Sequence, residues 1–181
     1  MIDPAYGDWL ARGQAHQQAG LAVDAMLCYR QALKVNRNAV QAHFHLGEVL
    51  RDLGLRNDAI AAWRGALTWQ PRHVPSLLAL ADELRRAGAV ADAATYYRQA
   101  VASEPAHGGA RTALALTLGG TGDAAALDEL RAQIDTQGGF DDWDALGRML
   151  AMAPRSASRH ALLQRVAALH AADLPPLLLG L

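Results

Sequence analysis

The most constraining feature of this 181-residue chain is a set of residues that returns every 34 positions. A glycine, an aspartate–alanine pair and an aromatic residue follow one another at the same spacing in residues 6–39, 40–73 and 74–107. The equivalent positions are Gly20, Gly54 and Gly88, then Asp24, Asp58 and Asp92, then Tyr29, Trp63 and Tyr97. Apolar residues within each segment recur at helical spacing. A helix pair repeated at a fixed period predicts a solenoid, in which each repeat packs against its neighbours.

Each recurring residue type has a mechanical reason to be there. The glycines are expected to end the first helix of each pair, because a left-handed cap is least costly for glycine. The aspartates are expected to cap the second helix with a side-chain oxygen, worth ~1 kcal/mol each. The aromatic residues fill the gap that small alanines leave between crossing helices. Pro71 and Pro105 stop the second helix and open the next repeat.

The repeated residues resemble the tetratricopeptide-repeat family. The second segment carries this resemblance in Leu46, Gly47, Leu50, Gly54, Ala59, Trp63, Ala66 and Pro71, and the third in Leu80, Ala81, Leu84, Gly88, Ala93, Tyr97, Ala100 and Pro105. The resemblance covers residues 6–107 well and the remainder in part. It implies an all-α fold, a right-handed superhelical solenoid of stacked antiparallel helix pairs.

The pattern becomes irregular after Pro105. We predict about five helix pairs within one repeat domain, residues 1–173, of which the last two, residues 108–139 and 140–173, are degenerate. In the fourth repeat a glycine-rich turn at residues 119–122 lacks three residues. The apolar tail, residues 174–181, is expected either to dock on the last helix pair or to be the stub of a longer chain that continues beyond it.

Composition argues against several kinds of partner. Basic residues number 17 and acidic residues 18, so no excess charge steers the chain to nucleic acid or to an anionic membrane. No stretch has the ~20 apolar residues that span a bilayer. The single cysteine, Cys28, excludes an internal disulfide framework, which favours a reducing cytoplasm.

The sequence gives little support for catalysis or for a metal or cofactor site. His43 and His45 point to different sides of a helix, and no pair of histidines stands at i and i+4. His73 and His107 recur with the repeat, which indicates solvated or capping histidines. No nucleophile or phosphate-loop motif is present. We therefore predict a protein that is not an enzyme and that holds neither metal nor cofactor.

In tetratricopeptide-repeat proteins the first helices line a concave groove that holds a peptide. Carried over position by position, the resemblance predicts the following partner-binding residues: Leu10, Gln14, Gln17, Gln41, Phe44, His45, Glu48, Arg51, Leu78, Asp82, Arg85, Arg86, Thr112 and Leu116. Leu10, Phe44 and Leu78 are equivalent and would form an apolar stripe. The alternative is that these three residues add to the core. Exposure is favoured, because they lie about a third of a turn from the leucines that pack between helices.

Three functions are compatible with these features. The preferred one is a protein–protein interaction adaptor that holds an amphipathic or leucine-bearing partner segment in the groove. The second is the repeat domain of a larger enzyme, such as a glycosyl- or methyltransferase. The third is a self-assembling scaffold, a homo-oligomer in which the irregular end or the apolar tail pairs with another copy.

Overall fold

The computed structural model describes residues 4–121, together with residues 160 and 164, and residues 4–121 form seven helices. Their bounds are α1 Pro4–Gln18, α2 Ala22–Val35, α3 Val40–Asp52, α4 Arg56–Trp69, α5 Val74–Arg86, α6 Val90–Ser103 and α7 Gly108–Thr121. No strand occurs in this part of the chain. The all-α fold class predicted from the sequence is confirmed.

Helices of the same kind begin 34 residues apart. The second helices α2, α4 and α6 begin at residues 22, 56 and 90, and the first helices α3, α5 and α7 at residues 40, 74 and 108. The junctions have nearly identical dihedral angles: φ −85° and ψ 69° at Leu21, −85° and 63° at Leu55, and −80° and 63° at Ala89. Ala39 and His73, which precede α3 and α5, agree to within one degree in ψ, at 94° and 93°. The backbone therefore repeats as closely as the sequence does.

The turn glycines end the first helices as the sequence predicts. Gly20 has φ +73° and Gly54 has φ +78°, in the left-handed region that favours glycine. At the second turn the Leu55 N–H donates to the Leu50 carbonyl at 2.8 Å, and the Gly54 N–H donates to the Arg51 carbonyl at 2.9 Å. These two bonds are those of a Schellman motif, which satisfies carbonyls that a helix end leaves free.

The aspartate caps predicted from the sequence are wrong. The N-cap position falls on the residue directly after each turn glycine, and none of these N-caps makes a side-chain hydrogen bond to its helix. Asp24, Asp58 and Asp92 lie inside the first helical turn instead. Because only three residues separate the two helices of a pair, the second helix begins before the aspartate is reached. Each carboxylate still interacts favourably with the positive end of the helix dipole, and this interaction is worth about 0.3–1 kcal/mol.

The chain divides into two compact bodies, Met1–Ala87 and Gly88–Leu181, which we call the N-terminal body and the C-terminal body. In the N-terminal body each of α1 to α4 packs against the next helix in sequence, and α3 also touches both α1 and α5. In the C-terminal body α6 packs against α7. The contacts of α1, α3 and α5 place three first helices side by side.

A close helix crossing in the N-terminal body depends on Gly47. The Trp63 indole of α4 is fully buried and lies over this residue of α3. A Cβ added at Gly47 would be 2.3 Å from Trp63 Nε1, and one added at Gly13 would be 2.5 Å from Tyr29 Cε1. The equivalence of these two contacts explains why a small residue recurs in the first helices: each accommodates the aromatic ring of the following helix.

The fourth repeat differs from its prediction at the glycine-rich stretch. Helix α7 continues through Gly119 and Gly120, where the sequence predicts a turn. The equivalent residues Arg85 and Arg86 lie in the last turn of α5, so the glycines begin within the helix and not after it. The second helix of this repeat, the fifth repeat apart from residues 160 and 164, and residues 174–181 lie outside the described residues.

Candidate functional site

The side chains predicted to line a groove lie on α1, α3 and α5 of the N-terminal body and on α7 of the C-terminal body, and none is fully buried. Gln41, Arg85, Arg86 and Leu116 are exposed, and Leu10, Gln14, Gln17, Phe44, His45, Glu48, Arg51, Leu78, Asp82 and Thr112 are half-buried. Leu10 also packs against a core cluster that contains Tyr6 and Ala42, so it serves the core as well. Thr112 and Leu116 belong to the other body, so the candidate site consists of residues of the N-terminal body alone.

Three rows of equivalent residues cross α1, α3 and α5. On each helix the row members stand at i, i+4 and i+7, which places them on one side of that helix. The apolar row is Leu10, Phe44 and Leu78; the second row is Gln14, Glu48 and Asp82; the third row is Gln17, Arg51 and Arg85. We call the surface formed by these rows the first-helix face.

An aromatic cluster of Tyr29, Phe44, His45 and His73 underlies the middle of this face. The rings of Tyr29 and His45 stack with centroids 5.5 Å apart and planes 16° apart. Phe44 contacts His45 at 5.3 Å in a tilted arrangement, and it meets His73 edge-on at 5.5 Å. The apolar row is thus supported at its centre by two imidazoles.

Polar contacts orient three side chains of this cluster, those of Tyr29, His73 and His45. The Tyr29 hydroxyl donates to Gln17 Oε1 at 2.7 Å, which connects α2 to α1. His73 Nδ1 lies 2.8 Å from the Ser76 hydroxyl, and both residues are buried. Gln14 Nε2 lies 3.5 Å from His45 Nε2, at the limit of a hydrogen bond. Packing and hydrogen bonding together hold the cluster in one arrangement, which suits a preformed binding surface.

Burial keeps the aromatic cluster uncharged at neutral pH. Desolvation lowers the pKa of His45 below 6.5, and the neighbouring His73 lowers it further. Desolvation also lowers the pKa of His73 below 6.5. The pKa of Tyr29 is raised to about 12, chiefly by burial, so its hydroxyl remains a donor to Gln17.

We expect the N-terminal body to lose stability as the pH falls below about 6.5. Both imidazoles have a lower pKa in the folded protein than in the unfolded chain, so the unfolded state binds more protons in that interval. The penalty is absent above the unfolded pKa, grows as pH falls, and is complete below the folded pKa values. Urea unfolding at pH 7.5 and pH 5.5 measures it.

The matched control for this pH effect is a variant with His45→Gln and His73→Gln. Glu48 has the opposite effect on stability at lower pH. Its pKa is raised above 4.5, so its protonation favours the folded state. The difference between wild type and the double variant removes that contribution. An equal pH dependence in the two proteins would contradict the assignment to these histidines.

The charged residues of the first-helix face are paired within their own helices. Both terminal nitrogens of Arg51 donate to the Glu48 carboxylate, at 2.9 and 3.2 Å. Arg85 and Asp82 form the equivalent pair at 3.8 Å. Burial is the main reason that the pKa of Glu48 is raised, Arg51 opposes it, and the nearby carboxylates of Asp52 and Asp82 add to it. The face therefore has alternating charges but little net charge.

The chemistry available on this face is that of binding. It offers an apolar row, aromatic edges, two glutamine side chains and two ion pairs. In the part of the chain that the structure describes, no three His, Cys, Asp or Glu side chains are grouped so that they could hold a metal ion. Among the described helices, none is long and apolar enough to cross a membrane.

Tyr29 and His73 are absent from the residues predicted to line the groove. The sequence indicates that Tyr29 fills a helix gap, and it does, but its ring also stacks on His45. His73 is buried and contacts Phe44, whereas the equivalent His107 accepts a hydrogen bond from the Ala110 N–H at 3.1 Å and so caps α7. The sequence feature that distinguishes His73 from His107 is Ser76, which offers His73 a hydroxyl that the equivalent Ala110 lacks.

Comparison with known proteins gives matches among solved structures alone: no protein-family model matches the chain, and no curated protein matches it. One similar structure is YrrB, described as a TPR protein with an unusual peptide-binding site (TM-score 0.67, 18% identity, 95% of this chain and 89% of YrrB). Another is MamA from Desulfovibrio magneticus RS-1 (TM-score 0.70, 16% identity, 96% and 99%). A third is a tetratricopeptide repeat protein from Parabacteroides merdae (TM-score 0.67, 14% identity, 98% and 75%).

These neighbours share one fold with the chain. Helix pairs that begin 34 residues apart, glycine turns of one geometry and the matching solved structures together define a tetratricopeptide-repeat fold. The resemblance carried by the repeated residues is thereby confirmed at the level of the fold.

Proposed function

We propose that this chain is a non-catalytic protein-interaction scaffold that holds a partner segment on its first-helix face. The partner is a protein or peptide that presents leucine or another apolar side chain, as an amphipathic helix or an extended segment. YrrB, a protein of the same fold, is described as having a peptide-binding site, which supports this kind of partner.

The observation that carries the proposal is the half-exposed apolar row above the aromatic cluster. Phe44 is held between His45 and His73 while part of its surface remains accessible. Leu78 occupies the equivalent position on α5 and is likewise half-buried. An apolar side chain from a partner would cover surface that water now contacts, worth about 25 cal/mol per Å² buried.

The variant Phe44→Asp plus Leu78→Asp tests the proposal. Each aspartate would place a charge where a partner's apolar side chain must lose its water, so recovery of partners should fall at least tenfold, or about 1.4 kcal/mol. The measurement is quantitative mass spectrometry of proteins that co-purify with the tagged full chain from its native cell, with bait amounts equalised.

The matched control is Val35→Asp plus Trp69→Asp. These two residues are also apolar, exposed and 34 positions apart, but they lie at the ends of α2 and α4. The control should recover partners as wild type does, and circular dichroism should show that both variants are folded. If the variant with Phe44→Asp plus Leu78→Asp recovers the same partners as wild type in the same amounts, the first-helix face is not the binding site.

A further inference from the structure

The ion pairs on the first-helix face favour an occupant that brings no charged side chain to it. Arg51 and Arg85 already have carboxylate partners at i−3 on their own helices. A charged partner side chain would have to replace one of these pairs, and the gain would be small because exposed ion pairs are worth only about 0–1 kcal/mol. An uncharged apolar segment leaves both pairs intact and covers the apolar row.

The spacing of the apolar row favours a segment with an apolar residue at every third position. Leu10, Phe44 and Leu78 lie on α1, α3 and α5. Helix α3 contacts the other two, and the axes of packed helices are about 8–10 Å apart. A polyproline II segment advances about 9.3 Å in three residues and returns to the same side. Successive third residues of such a segment would therefore meet successive members of the row.

This chain contains a segment of that description in residues 174–181, Leu-Pro-Pro-Leu-Leu-Leu-Gly-Leu. The segment has no charged residue, and its two adjacent prolines favour polyproline II geometry for themselves and for Leu174 before them. Pro175, Leu178 and Leu181 stand at every third position, one for each member of the apolar row.

We propose that residues 174–181 of one copy bind the first-helix face of a second copy, so that the chain assembles head to tail. The inference rests on the proposed function, because it uses the same face. The sequence predicts two further repeats between residue 107 and this segment, so a second copy can supply it without unfolding those repeats. Two different surfaces meet in this contact, and such an interface extends into a ring or a filament.

A mixing experiment with two full-length variants tests this assembly. The face variant is Phe44→Asp, and the segment variant is Leu177→Asp plus Leu178→Asp. Sedimentation velocity should show wild type growing with concentration from monomer to dimer and larger species. Each variant alone should remain monomeric, with a dissociation constant raised at least tenfold. The 1:1 mixture should form dimers and stop there, because one intact segment meets one intact face.

Three outcomes would overturn the assembly. Wild type could stay monomeric at every concentration, the segment variant could assemble like wild type, or the mixture could stay monomeric. If Phe44→Asp fails to fold by circular dichroism, Leu78→Asp takes its place. Val35→Asp is the matched control and should assemble like wild type, because it changes an exposed apolar residue at the end of α2.

The same variants separate this inference from the proposed function. The segment variant keeps the first-helix face intact, so it should still recover partners from the native cell. A segment variant that assembles like wild type, beside a face variant that loses its partners, would reject head-to-tail assembly and leave the proposed function standing.

Discussion

Replacing Gly47 with alanine is expected to lower the free energy of unfolding of the N-terminal body by about 1–3 kcal/mol, the usual range for an overpacked core. The new Cβ would lie 2.3 Å from Nε1 and 2.6 Å from Cδ1 of the fully buried Trp63 indole. The ring cannot swing into solvent, so α3 and α4 must separate. Urea unfolding followed by circular dichroism measures the effect.

Two controls separate this clash from the general effect of adding a methyl group. Gly7→Ala adds the same group to α1 where no atom lies within 4 Å, so it should be neutral or stabilising by up to about 1 kcal/mol. Trp63→Phe combined with Gly47→Ala should be less destabilised than the sum of the two single changes, because the smaller ring makes room. Strict additivity would show that the two residues do not clash.

Replacing Arg86 with methionine is expected to produce a second large loss of stability. Arg86 Nη1 lies 2.5 Å from the Glu83 carboxylate, whose side chain is only 3% exposed. Removing one partner of a buried ion pair typically costs about 3–5 kcal/mol. The loss should be smaller, about 1–3 kcal/mol, because the Arg86 side chain is itself 46% exposed and Arg56 remains 3.9 Å from the same carboxylate. Urea unfolding at pH 7.5 provides the measurement.

The neighbouring pair on the same helix is the matched control for Arg86. Arg85→Met breaks an i,i+3 pair with Asp82 whose side chain is 42% exposed, so it should cost less than about 1 kcal/mol. Glu83→Val combined with Arg86→Met should restore most of the stability, since the equivalent position in the second repeat is the buried Val49. If Arg85→Met and Arg86→Met were equally destabilising, burial of Glu83 would not be the cause.

Much of the fold could be predicted because the repeat is specified by local chemistry. Gly20 and Gly54 favour a left-handed backbone by themselves, and Pro71 cannot continue the interior of a preceding helix. A period of 34 residues then fixes which helices are equivalent. The aspartate caps were wrong because Asp, at the third helical position, is also common in the first turn of helices, and the sequence alone does not separate the two positions.

The site was only partly predictable because its contacts join residues distant in sequence. Phe44 and Leu78 follow from the repeat register, since each lies about a third of a turn or more around its helix from the leucines that pack between helices. The stacking of Tyr29 on His45 depends on side-chain rotamers across two helices, which no local pattern specifies. The burial of Glu83 was likewise unpredictable: its equivalents are Ala15 and Val49, so the repeat gives no indication of a carboxylate with basic partners there.

The close agreement of the junction angles has a consequence for how this molecule can change in evolution. The backbone turns into the next helix in the same way at residues 39 and 73, and each is followed by valine at the start of a first helix. Deleting residues 40–73 would join Ala39 to Val74 through a junction that already exists, and duplicating them would do the same. The number of repeats can therefore change by unequal recombination without a new turn having to arise, and each such event shortens or extends the row of first helices by one.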